Sequence, residues 1–139
     1  MKRRGLIIAL FVLCTQFVWA QGGNKVEALR IAFISKRLEL SPAEAEKFWP
    51  VYNEYTDKMQ AIKKNLRQAY KRRVEPLTEK DADELYKLDM QSHQAEADVY
   101  RQYSEKLKAI IGVKKMIVLR VAEEEFRKEL IKTIKEGGE

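Results

Sequence analysis

Apolar residues recur along this chain at spacings of three and four, and the longest such run follows Ser41. Ala45, Phe48, Tyr52, Tyr55, Met59, Ile62, Leu66 and Ala69 keep the spacing without a miss, which is the seam of an amphipathic helix. Its start is encoded in Leu40-Ser41-Pro42-Ala43-Glu44. A hydroxyl at the N-cap, a proline at the first helical position and a carboxylate at the third form a capping box. Pro50 lacks the amide donor that a helix interior requires, so a kink or restart is expected near Trp49. Val74-Glu75-Pro76-Leu77 ends the helix, and Thr78 caps the next.

A second long helix is expected over about 78–109, with Leu85, Leu88, Ala95, Val99, Tyr103, Leu107 and Ile110 on its apolar side. Gln91, Ser92 and His93 leave its centre sparsely apolar. At a rise of ~1.5 Å per residue both helices would be on the order of 50 Å long, and together they form an antiparallel hairpin. Shorter helices flank it. One covers 25–39 with Val26, Leu29, Phe33, Ile34 and Leu38; the other covers 113–135 with Met116, Leu119, Phe126, Leu130 and Ile134. No run alternates with period two for long enough to form a sheet. The expected fold is therefore all-α, four helices with the hairpin at its centre, between short glycine-containing ends at 21–24 and 136–139.

The last helix departs from one-sided patterning. Met116, Ile117, Val118 and Leu119, with Val121 and Ala122, are apolar around most of the circumference. A helix packed on one side needs a stripe and not a sleeve. Either that end is buried among several helices or it meets a second chain; on the second reading Met116, Ile117, Leu119 and Val121 are the expected interface of a homodimer.

The first residues bear on compartment. Lys2, Arg3 and Arg4 precede an apolar stretch from Gly5 to Val18, and Val18-Trp19-Ala20 offers short residues where a leader peptidase reads. That order is a secretory signal peptide over 1–20, followed by one helical domain over 21–139. The apolar stretch falls short of the ~20 residues of a spanning helix, which disfavours a retained anchor. Cleavage removes Cys14, the single cysteine, so the mature chain has no disulfide and no thiol chemistry. It also lowers the formal charge from +6 to about +3, which with export argues against nucleic acid as a partner. The expected location is the periplasm.

Enzyme signals are nearly absent. There is one histidine, no Gly-rich phosphate loop and no nucleophile–base pattern, so neither catalysis nor a cofactor is expected. A metal site has one candidate set, Asp89, His93 and Glu96, spaced to share a helical face. Three ligands of which one is histidine fall short of common transition-metal sites, and a polar helix surface is the simpler account of them. The basic cluster Lys63, Lys64, Arg67, Lys71, Arg72 and Arg73, with Tyr70 inside it, is more distinctive. Lys64, Arg67 and Lys71 form a cationic stripe opposite the seam. Cations near a helix C-terminus also complement its macrodipole. The alternative is attraction of unfolded acidic clients, with charge steering capture and apolar contacts holding weakly. Phe48, Tyr52 and Tyr55 lie on the seam and read as core; Trp49 lies off it.

The leader, the four helices, Leu40-Ser41-Pro42-Ala43-Glu44, the run 48–55 and Glu124-Glu125-Phe126-Arg127-Lys128-Glu129-Leu130 together resemble the LTxxQ-motif envelope proteins of Spy/CpxP type. Within that family they look like the subgroup described as sensors of extracytoplasmic-function sigma factors. Of the first motif only Leu40 is retained, with Ser41 for threonine and Glu44 for glutamine, and the capping logic survives both changes. The second motif, near 111–115, is hardly recognisable, and the ligand set of metal-responsive members is missing. The resemblance implies a homodimer of bent hairpins forming a shallow cradle. Spy-like members hold unfolding proteins there without ATP, and CpxP-like members restrain an envelope-stress sensor. The expected function is an ATP-independent, chaperone-like protein of the envelope stress response. A regulatory adaptor for one envelope signalling partner is the second reading, and a metal sensor the third.

Overall fold

The computed structural model describes residues 21–73 and 75–136, with side chains from residue 25 onward. The expected signal peptide, its Cys14 and residues 137–139 lie outside the described residues. All regular structure among the described residues is helical: α1 (Gln21–Leu38), α2 (Pro42–Arg72) and α3 (Glu79–Glu136). The chain is all-α, as its periodicity predicts. Residues 21–24, expected as a glycine-containing end outside the helices, are instead the first turn of α1.

The α1–α2 junction turns sharply through Glu39, whose φ of 49° is left-handed. Leu40 N–H donates to the Ser35 carbonyl at 3.2 Å and Glu39 N–H to the Lys36 carbonyl at 3.4 Å. That pair of bonds is a Schellman motif, which serves the carbonyls a helix end leaves open. Directly after it the capping box forms as read from sequence. Ser41 N–H donates to Glu44 Oε2 at 2.8 Å, and Glu44 N–H to Ser41 Oγ at 3.2 Å.

α2 runs through Pro50 as one helix, contrary to the break expected near Trp49. Pro50 and Glu46 both face solvent, so water can serve the Glu46 carbonyl that proline leaves without an amide partner. Trp49 meanwhile packs edge-on to Phe48, their ring centroids 5.0 Å apart, and this contact braces the segment around the proline. The seam from Ala45 to Ala69 is buried or half-buried throughout. α2 ends at Arg72, and Thr78 caps α3. Asp81 N–H donates to Thr78 Oγ1 at 3.2 Å and Thr78 N–H to Asp81 Oδ2 at 3.3 Å, a capping box with aspartate in place of glutamate.

α3 continues where two helices were expected, but Gly112 interrupts it with φ 76° and ψ 163°. That backbone region is essentially restricted to glycine. The lengths 79–111 and 113–136, here the proximal and distal segments of α3, therefore change direction at one residue. Proximal pairings run opposite to α2: Tyr55 lies 6.0 Å from Tyr103 between ring centroids, and Lys63 lies 3.8 Å from Glu96. At the sparsely apolar centre Ser92 is buried, its hydroxyl donating to the Leu88 carbonyl at 2.8 Å. A small self-satisfied hydroxyl thus keeps the seam closed without an apolar side chain.

The core sits at the Gly112 end. Ile34 and Leu38 of α1, Phe48 and Tyr52 of α2, and Leu107, Ile111, Leu119 and Ala122 of α3 are buried there together. Phe33 and Phe126 join α1 to the distal segment, with ring centroids 5.7 Å apart. Beyond about Met59 on α2 and Val99 on α3, only two helices contribute among the described residues, and side chains off the seam meet solvent.

Candidate functional site: a cationic and aromatic face

All six cations of the basic cluster are exposed, and the structure divides them in two. Lys63 is paired with Glu96 at 3.8 Å, Arg73 Nε donates to Glu75 at 3.0 Å, and Arg72 Nε donates to the Gln68 carbonyl at 3.3 Å. Lys64, Arg67 and Lys71 make no ion pair among the described residues, and their spacing places them in one stripe. Lys71 and Arg72 stand in the last turn of α2, where the macrodipole favours cations. Arg67 lies further back than that effect reaches.

A second row on α3 went unread in the sequence. Tyr86, Met90 and Tyr100 are 64%, 54% and 40% exposed, with His93 and Ala97 exposed between them. Successive members are three or four residues apart, so they line one side of the helix. The signal was present in the sequence, since these apolar residues repeat at helical spacing beside the seam rather than on it.

Two contacts place one edge of the basic cluster beside the α3 row. Lys63 reaches Glu96, and Glu96 lies one turn before Tyr100. Tyr100 in turn carries the Arg120 guanidinium over its ring, 4.3 Å from the centroid. The Lys63–Arg67 side of α2, the His93–Tyr100 side of α3 and the distal segment therefore share a face. Tyr70, 38% exposed, stands beside the stripe. At the tip, Ala69, Leu85 and Leu88 floor a depression of about 300 Å³ between Arg72, Arg73, Asp81 and Glu84.

Beneath the face lies a polar relay. Tyr52 Oη donates to Glu123 Oε1 at 3.0 Å, and Arg120 Nη1 donates to Glu123 Oε2 at 3.2 Å. Burial, followed by the Glu123 charge, pushes the Tyr52 phenol far above its ordinary range. Tyr100 moves the other way, lowered chiefly by its hydrogen bond to Arg120. The relay fixes Arg120 against Tyr100 and so ties the exposed row to the core.

The other candidate residues fare differently. Asp89 and His93 lie 3.7 Å apart, but Glu96 pairs with Lys63 instead of joining them. Among the described residues no three His, Cys, Asp or Glu side chains gather as a metal would require. The expected dimer interface also divides. Leu119 is 2% exposed inside the chain's own core, and Met116 packs against that core. Leu119 is thus removed from the interface, because the distal segment turns it toward Phe48 and Leu107. Ile117 and Val121 stay 64% and 50% exposed, joined by Val113 at 66%. The circumference that reads as a sleeve is a core stripe on one side and a solvent-facing row on the other.

Comparison with protein-family models, with curated proteins and with solved structures finds no match to this chain. Among the described residues no helix is long and apolar enough to cross a membrane.

Proposed function

We propose that this protein is an ATP-independent, chaperone-like binding protein of the bacterial envelope, exported by residues 1–20 and acting in the periplasm by non-covalent contact. One observation carries the reading: Lys63 reaches Glu96 across the hairpin, so the Lys63–Arg67 side of α2, next to the Lys64, Arg67 and Lys71 stripe, borders the face of the exposed row Tyr86, Met90 and Tyr100. Cations accelerate the capture of acidic, unfolded segments over several ångströms. Exposed aromatic and methionine side chains then hold diverse sequences weakly, since Met adapts its shape and Tyr offers both a ring and a hydroxyl.

Counted on either side of Gly112, the helices number four, and α2 with the proximal segment would be the hairpin of a Spy/CpxP-like fold. A homodimer through Val113, Ile117 and Val121 belongs to the same reading. The test is light scattering of a reduced, aggregating client with and without the purified chain, and no ATP. The reading requires near-stoichiometric suppression on two unrelated clients and its loss when Lys64, Arg67 and Lys71 are changed together to Glu. Equal protection by the charge-reversed chain would overturn it.

A further inference from the structure

The distal segment of α3 already occupies one end of the groove between α2 and the proximal segment. Tyr55 of α2, Tyr100, Ser104 and Leu107 of the proximal segment, and Leu119 and Arg120 of the distal segment converge on one small space. Glu123 is bonded to Tyr52 there. A helix laid over two antiparallel helices is what this groove accepts, and the chain supplies that helix itself. One turn beyond Arg120 and Tyr100 nothing among the described residues covers the seat. Lys63, Arg67 and Tyr70 form one wall and Tyr86, Asp89 and His93 the other, with Lys63 meeting Glu96 at the covered end. Packed helices stand 8–10 Å apart, so the two walls are spaced for one further helix and not for a broad folded surface.

Charge selects among possible guests. On the α2 wall Arg67 stands one turn beyond Lys63 and makes no ion pair among the described residues, with Lys71 one turn further on, while the opposite wall carries Asp89 beside His93 at 3.7 Å. The cationic edge belongs to α2 and the aromatic edge to α3. A complementary helix has carboxylates along one edge and apolar residues at spacings of three and four beside them.

We propose that the bare groove between α2 and the proximal segment of α3 seats an acidic, amphipathic helix of another protein, in line with the chain's own distal segment. This deepens the chaperone reading and rests on the same face. It makes helical, partly folded segments the preferred clients over extended ones.

The test uses the full chain and three fluorescent peptides in anisotropy titrations. The first forms a helix with Glu along one edge and Leu at spacings of three and four. The second exchanges Glu for Lys. The third keeps the first composition but carries two central prolines, which break the helix. The first is expected to bind about tenfold more tightly than either of the others. An R67E/K71E variant, its helicity checked by circular dichroism, should reverse the order of the first two. Equal binding of the first and third peptides would refute a helical guest, and equal binding of the first two would refute the charged edge. Aggregation suppression is scored separately. A chain that suppresses aggregation without preferring the first peptide loses this inference and keeps its chaperone role. A chain that prefers the first peptide and suppresses nothing loses the chaperone role, and the groove then serves one helical partner.

Discussion

The Lys115 ammonium lies 2.8 Å and 2.9 Å from the two carboxylate oxygens of Glu44, and 3.1 Å from the Glu39 carbonyl. Glu44 is also the third residue of the α2 capping box. One carboxylate therefore closes the start of α2 and fastens the distal segment of α3 to it. The bond to Lys115, and next the Ser41 amide, hold the Glu44 carboxyl below its ordinary range. A lowered carboxyl contributes stability above its unfolded value, and that contribution disappears as pH falls through the folded value. Lys115→Met is thus expected to lower the thermal midpoint at pH 7. The gap to the parent should narrow below about pH 4, where the unfolded carboxyl protonates. Thermal melts at both pH values check this, and an unchanged midpoint at pH 7 would show that the pair contributes nothing.

Gly112→Ala is expected to destabilise the chain by about 1–3 kcal/mol, the usual cost of a glycine-only backbone conformation. Apart from adjoining backbone, no atom of the described residues lies within 4 Å of the added Cβ, so the loss would come from backbone strain alone. Urea titration measures it. A neutral substitution would mean that the junction relaxes to another backbone conformation at no cost.

Glu39 tests the opposite sign. Its left-handed φ of 49° costs an L-residue roughly 1–2 kcal/mol, and the two Schellman bonds use only backbone atoms. Glu39→Gly should therefore stabilise the chain by roughly 1 kcal/mol, part of the relief being lost to the greater entropy of unfolded glycine. A higher urea midpoint with unchanged slope is the expected result.

Tyr52→Phe removes a buried donor to Glu123 while leaving the ring stacked on Phe48, with centroids 5.2 Å apart. A cost of about 1–2 kcal/mol is expected. The alkaline limb carries a second signature. Because the folded phenol holds its proton where the unfolded one releases it, stability falls as pH rises past about 10. That fall should be shallower in Tyr52→Phe, as denaturant melts between pH 8 and pH 11 would reveal.

The cationic stripe makes a prediction about salt. Exposed charges are screened within about 8 Å at physiological ionic strength and about 3 Å at 1 M. Client capture through Lys64, Arg67 and Lys71 should therefore slow markedly in high salt, whereas dissociation changes little. Stopped-flow binding separates the two rates. A salt-independent association rate would assign capture to Tyr86, Met90 and Tyr100 alone.

Local rules were enough to specify much of this molecule. Ser41, Pro42 and Glu44 set the start of α2, Thr78 that of α3, and the spacing from Ala45 to Ala69 predicted which side would be buried. Each depends on bonds or periodicities spanning a few residues, which a linear text contains in full. Pro50 was misread because its cost depends on whether the orphaned carbonyl meets water, and that follows from which side the helix buries. The division of the 116–122 sleeve was undecidable for a similar reason. Leu119 and Ile117 are equally apolar, and only the change of direction at Gly112 turns one toward Phe48 and leaves the other in solvent. The basic cluster was legible as composition, but its functional meaning was not. Packing decided that Lys63 would be neutralised by Glu96 from the facing helix. The same packing brought the Lys63–Arg67 side of α2 to the face that Tyr86, Met90 and Tyr100 share, because charges and rings distant in sequence become one surface only when two helices fix their relative rotation.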